Sequence, residues 1–292
     1  MSVVGASLLA IESHHSVELR QQAGSYKRIG AEHGFTLVEL IMVIALAGIV
    51  AVMISTVMSR PLQGFADQSR RAELTDLAAM ALNRMARDIR LAVPNSVLPK
   101  GDGIYFVPIA AAGRYGTSSD STGVMTAPLV CPPSPGVCSI KILSDIEPDS
   151  STDKHWLIIY NTSTPIERLL DGESDVVSPK EFTWSDGELS ASLDGFKFAS
   201  QSPHHRFYLA SQVVGYRCDS DGFLWRETFD RLDLAAKSSS AKVINSASGC
   251  NFTYASGANA RNGLVTLRLT LKDKSTQEAV TLLQQVHVDN AP

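Results

Sequence analysis

Glu39 is the residue whose chemical setting is least ordinary. It heads the twenty residues Leu40 to Ser59, none of which is charged. A carboxylate placed deep beside such a run costs about 2.5 to 3.5 kcal/mol on insertion scales, and no cation within the run can offset that. Its partner must therefore come from elsewhere. The remaining candidates are weaker. His204 and His205 are adjacent, and neighbours on a strand point to opposite faces, so a surface loop is expected rather than a shared metal. Asp219, Asp221 and Gly222 supply part of a calcium loop but lack the distal glutamate, and a turn is expected there. The acidic stretches Asp145, Glu147, Asp149 and Asp171, Glu173, Asp175 read as solvated loops that could also hold calcium. GxSxG, HExxH, GxGxxG and Walker A segments are absent. The expectation is therefore no catalytic residue, no cofactor and no resident metal.

The elements that position these groups follow from hydrophobic period. At about 1.5 Å per residue, Leu40 to Ser59 span roughly 30 Å as a helix, the thickness of a bilayer core. Ala47, Ala51 and Ser55 recur every fourth position beside Gly48, a small-residue stripe that lets helices approach closely. The helical pattern weakens at Pro61 and Gly64, where a kink is expected, and then resumes. Leu74, Leu77, Ala78, Ala81, Leu82, Met85, Ile89 and Ala92 make an apolar stripe ending near Pro94. Beyond Asn95 the pattern turns to strands. These are expected at Ile104–Val107, Trp156–Tyr160, Phe207–Cys218, Phe223–Thr228, Leu264–Leu271 and Val280–Val288, with weaker candidates at Phe182–Trp184 and Phe196–Phe198. Asp219 to Gly222 has hairpin-turn composition. The fold class is α+β, an antiparallel sheet beside one long helix.

Gly34, Phe35, Thr36, Leu37, Val38, Glu39 and Leu40, set against that apolar run, resemble the processing site of the type IV prepilin family, which includes pilins and type II secretion pseudopilins. The resemblance implies cleavage after Gly34 by a prepilin peptidase and methylation of the new amine on Phe35. It implies that Glu39 pairs with such an amine, its own or a neighbour's, as helices stack into a filament. Such a pair would set register more than strength. The resemblance divides the chain into a leader (1–34), a membrane helix (35–59), its amphipathic continuation (60–93) and a β-rich periplasmic domain (94–292). The leader is long for this family, which points to a translation start downstream of Met1. Lys27 and Arg28 on one side of the apolar run are balanced by Arg60, Arg70 and Arg71 on the other. Inner-membrane orientation, with the leader cytoplasmic, thus rests on the resemblance. The implied partners are prepilin peptidase, other minor and major pilins, an inner-membrane assembly platform and, before assembly, membrane lipid.

Two further segments narrow this. VVGYRCDSDGFLWRE and LLQQVHVDNAP resemble minor pilins of the mannose-sensitive haemagglutinin (MSHA) type IV pilus, whose soluble domain is similar to that of J-type pseudopilins. A J-type pseudopilin of type II secretion is the close alternative, and a membrane-anchored periplasmic enzyme or binding module a remote one. Composition agrees with a globular domain plus one membrane segment, since 44% of residues are hydrophobic and 19% charged. Removing the first 34 of the 292 residues leaves 258, enough for the helix and a sizeable core. A net charge of −4 without a Lys/Arg-rich run gives no nucleic-acid footprint. Four cysteines, with no CxxC, read as two disulfides in a domain outside the cytoplasm. Three connectivities are open, of which the pairing of sequence neighbours, Cys131 with Cys138 and Cys218 with Cys250, is favoured.

Overall fold

A computed structural model describes residues 34–116, 129–132, 136–144, 146, 153–162, 175–185, 187–257 and 262–289. Of the proposed leader only Gly34 lies among them. The chain divides into two compact units at Pro61 and Leu62. One helix, α1 (Leu37–Arg90), runs through both, and Pro61 lies inside it. The helix runs on through Pro61 and Gly64, where the sequence pattern weakens, although Pro61 has no N–H to offer the Val57 carbonyl. Within the first unit every side chain from Leu37 to Met58 is exposed. Thr56 satisfies its hydroxyl locally, donating to the carbonyls of Met53 at 3.0 Å and Val52 at 3.1 Å.

In the second unit α1 buries one face, comprising Leu74, Ala78, Ala81, Leu82, Met85, Ala86 and Ile89. It ends in a tightened turn, in which the Leu91 and Ala92 amides donate to the carbonyls of Asp88 and Ile89. Arg87 and Arg90 in the last turn suit the helix dipole. Among the described residues fourteen strands follow: β1 (Leu98–Lys100), β2 (Gly103–Phe106), β3 (Ala111–Arg114), β4 (Cys138–Lys141), β5 (Trp156–Ile158), β6 (Thr183–Ser185), β7 (Glu188–Ala191), β8 (Arg206–Ala210), β9 (Val213–Cys218), β10 (Phe223–Phe229), β11 (Ser239–Asn245), β12 (Ala247–Ala255), β13 (Gly263–Lys272) and β14 (Ala279–Val288). They form four antiparallel sheets, ordered β1-β2-β9-β10-β11, β12-β13-β14, β3-β8-β5 and β4-β7-β6. With one long helix this is an α+β arrangement consistent with a type IV pilin-like fold.

The buried face of α1 packs against two of these sheets. Ile104, Phe106, Val214, Tyr216 and Leu224 come from the five-stranded sheet, and Val265, Leu267, Leu269, Leu271 and Val286 from β13 and β14. Strand alternation gives the five-stranded sheet a second buried face. Tyr105, Val107, Val213 and Phe229 pack there with Trp156 and Ile158. A third core, around Phe182, Leu189, Phe198 and Phe207, lies between the β3-β8-β5 and β4-β7-β6 sheets. Two expectations need correction. Phe207 to Cys218 is two strands in different sheets, β8 and β9, parted at Ser211 and Gln212. Phe196 to Phe198 is no strand: the two rings meet edge-to-face at 5.0 Å, and only Lys197 bridges to Val130.

Candidate functional site

The site begins where α1 begins. Thr36 is the N-cap: its Oγ1 accepts the Glu39 amide at 3.2 Å and its carbonyl accepts the Leu40 amide at 3.1 Å. Thr36 and Glu39 thus stand in capping-box spacing. The Glu39 carboxylate lies in the first turn, where the positive end of the helix dipole favours it. Phe35, just before the cap, is 79% exposed. A Cβ built on Gly34 meets nothing within 4 Å, and the same holds at Gly48. Packing against the described residues requires neither glycine. Leu37–Arg90 contains a stretch long and apolar enough to cross a membrane. The structure thus brings Gly34, Phe35 and Glu39 together at one helix mouth.

The other candidate groups are used structurally. Asp219 Oδ1 accepts the amides of Asp221 at 3.1 Å and Phe223 at 2.8 Å, while Oδ2 accepts the Trp225 indole at 2.6 Å. These bonds, the indole's foremost, hold its carboxyl below the usual carboxylate range. They tie both carboxylate oxygens to the β9–β10 turn. His205 has φ of +51° and its ring tilts against Tyr115 at 5.4 Å, while its carbonyl accepts the Tyr115 amide. His204 is exposed beside it. Among the described residues no cluster of three His, Cys, Asp or Glu could hold a metal. Of the acidic stretches only Asp175 is described; its carbonyl accepts the Ala199 amide. The structure joins Cys131 to Cys138, closing a short loop, and Cys218 to Cys250, which links the end of β9 to β12.

Two charge networks escape a linear reading. Asp88 lies on the face of α1 that looks solvated in sequence. Its Oδ2 accepts the Tyr216 hydroxyl at 2.7 Å and Arg226 Nε at 3.1 Å. Burial foremost, then the bond to Asp88, raises the Tyr216 phenol. Tyr216 and Arg226 are cross-strand neighbours in β9 and β10. That register follows from the Asp219 turn, which is the signal that could have found the pair. Glu227 is 3% exposed. Its Oε1 takes Arg217 Nη2 at 3.0 Å and Lys237 Nζ at 3.2 Å, so this buried carboxylate is paired twice.

A family model described as "Prokaryotic N-terminal methylation motif" matches residues 30–55, which contain the Gly34–Phe35 junction, Glu39 and most of the apolar run. No curated protein and no solved structure matches the chain. The N-terminus is type IV prepilin-like, and the match supports a pilin- or pseudopilin-like protein. Such a motif implies processing by prepilin peptidase and assembly with other pilins.

Proposed function

We propose that this chain is a minor pilin of an MSHA-type type IV pilus, of the kind of MshO, and that it takes part in pilus assembly or initiation. The observation that carries this reading is the helix mouth: a capped Glu39, five residues after Gly34, at the head of an exposed uncharged run. The prepilin enters the inner membrane through α1 with its domain in the periplasm. Prepilin peptidase cuts between Gly34 and Phe35, and the Phe35 amine is methylated, which keeps its positive charge. That amine appears next to the N-cap, where only Glu39 offers a negative charge in the first helical turn. An amine, its own or a neighbour's, then answers the carboxylate as α1 leaves lipid for a bundle of other α1-like helices. The small-residue face of Ala47, Gly48, Ala51 and Ser55 allows close approach there.

The test is recovery of the chain from sheared surface filaments, with filament number counted in a strain lacking it. The reading expects the processed chain in the filaments and fewer filaments without it. Normal filaments, together with loss of secretion through a type II system, would instead assign it to the J-type pseudopilins.

A further inference from the structure

Among the described residues, the free edges of the sheets are protected in all but one place. β1 is three residues long with Pro99 and Lys100, and β5 and β6 are also three residues. β3 carries Gly113 and Arg114, and β4 carries Lys141. β11 carries Lys242 and faces a register shift between Leu224 and Trp225. β12 is shifted between Ala247 and Gly249 and is tied by Cys250 to β9. These are the devices that keep an edge from pairing with another chain. β14 has none of them. It is ten residues long, holds no Lys, Arg, Asp, Glu, Pro or Gly, and pairs with β13 through all ten residues without a shift. Its outer row of backbone groups spans roughly 33 Å.

The macromolecular ligand that matches such a row, group for group in place of water, is an extended polypeptide. We propose that the outer edge of β14 receives an extended, uncharged strand from a different subunit of the same assembly. The partner's class rests on the proposed function. The direction of β14 argues against a second copy. Arg71 bonds Glu278 at 2.8 Å and Asn83 bonds Gln284 at 3.2 Å. The helix rises about 18 Å between the first residues of these pairs and the strand about 20 Å between the second, so β14 runs beside this part of α1 in the same direction. Antiparallel pairing of two β14 strands would reverse one copy's α1 and set Glu278 against Asp289. Parallel pairing would set each of these acids beside its own copy. A different subunit presenting an antiparallel strand meets neither obstacle and makes the better ladder.

The test places a photo-crosslinking residue at Leu283, which is 53% exposed, in the full chain in cells, with Ser240 of β11 as the control position. The expected result is an adduct from position 283 alone, whose crosslinked peptide maps to an uncharged extended segment of another membrane-anchored subunit. It should be lost when Thr281→Lys or Gln285→Lys is added, at unchanged protein level and disulfide content. An adduct of two copies of this chain, equal labelling from Ser240, capture of a helix, or no adduct would each overturn the proposal. Filaments that carry the chain without the adduct sink this inference alone. The adduct without filament membership sinks the proposed function alone.

Discussion

Replacing Glu39 by alanine separates the proposed filament entry from the proposed processing. The proposed cleavage would read the Gly34–Phe35 junction, so Glu39→Ala is expected to be processed but excluded from filaments, scored by immunoblot of sheared and membrane fractions. Thr36→Ala removes the cap and should cost about 1 kcal/mol of helix stability while still allowing incorporation. In the soluble domain Asp88→Ala leaves the buried Tyr216 hydroxyl and Arg226 without their acceptor. It should cost about 1 to 3 kcal/mol, read as a fall of about 2 to 4 °C in Tm per kcal/mol for a domain of this size. The raised Tyr216 phenol adds a pH dependence. Because the folded state holds this proton more tightly, its contribution is complete below the ordinary phenol value of 10.0 and is lost as pH rises above it. Tyr105, Tyr115 and Tyr208 shift the same way, burial foremost in each. Denaturation across that range should show stability falling on the alkaline side, and less steeply in Tyr216→Phe.

Among the elements, those with a strong period were legible in the sequence. The stripe from Leu74 to Ile89 supplies the buried face of α1, and the alternation of Leu264 to Leu271 lies in β13. Asp219 to Gly222 turns β9 into β10. β11 and β12 were not legible, since SSAKVIN and ASGCNFTYA mix polar, small and apolar residues without a clean alternation, are largely exposed, and are strands through their neighbours. The split of Phe207 to Cys218 was hidden because both halves are apolar and differ only in which sheet they join. Gly215 shows the limit at a single position: a Cβ there would overlap the Tyr105 ring, a contact between strands that no local pattern announces. The disulfides should differ in weight. By loop entropy Cys218–Cys250, closing a separation of 32, is worth about 3.7 kcal/mol, and Cys131–Cys138, closing 7, about 2.5 kcal/mol. Paired Cys→Ser variants should therefore lower Tm more at Cys218 and Cys250.

At the scale of the molecule, one unit exposes apolar side chains along its described length and the other buries three cores. The exposed helix needs lipid or other helices around it, so before assembly the chain should stay with membranes through alkaline extraction and leave only with detergent. The helix mouth was legible in full from Gly34, Phe35 and Glu39, because residue type and spacing carry that signal without any fold. What Glu39 meets was not, since the partner proposed for it is a charge that would arise only if the chain is cut. The most direct measurement is mass spectrometry of the N-terminal peptide of the chain taken from cells. The account predicts a peptide that begins at Phe35 and is one methyl group heavier than its sequence; a functional chain whose peptide still runs through Gly34 into the preceding residues would contradict it.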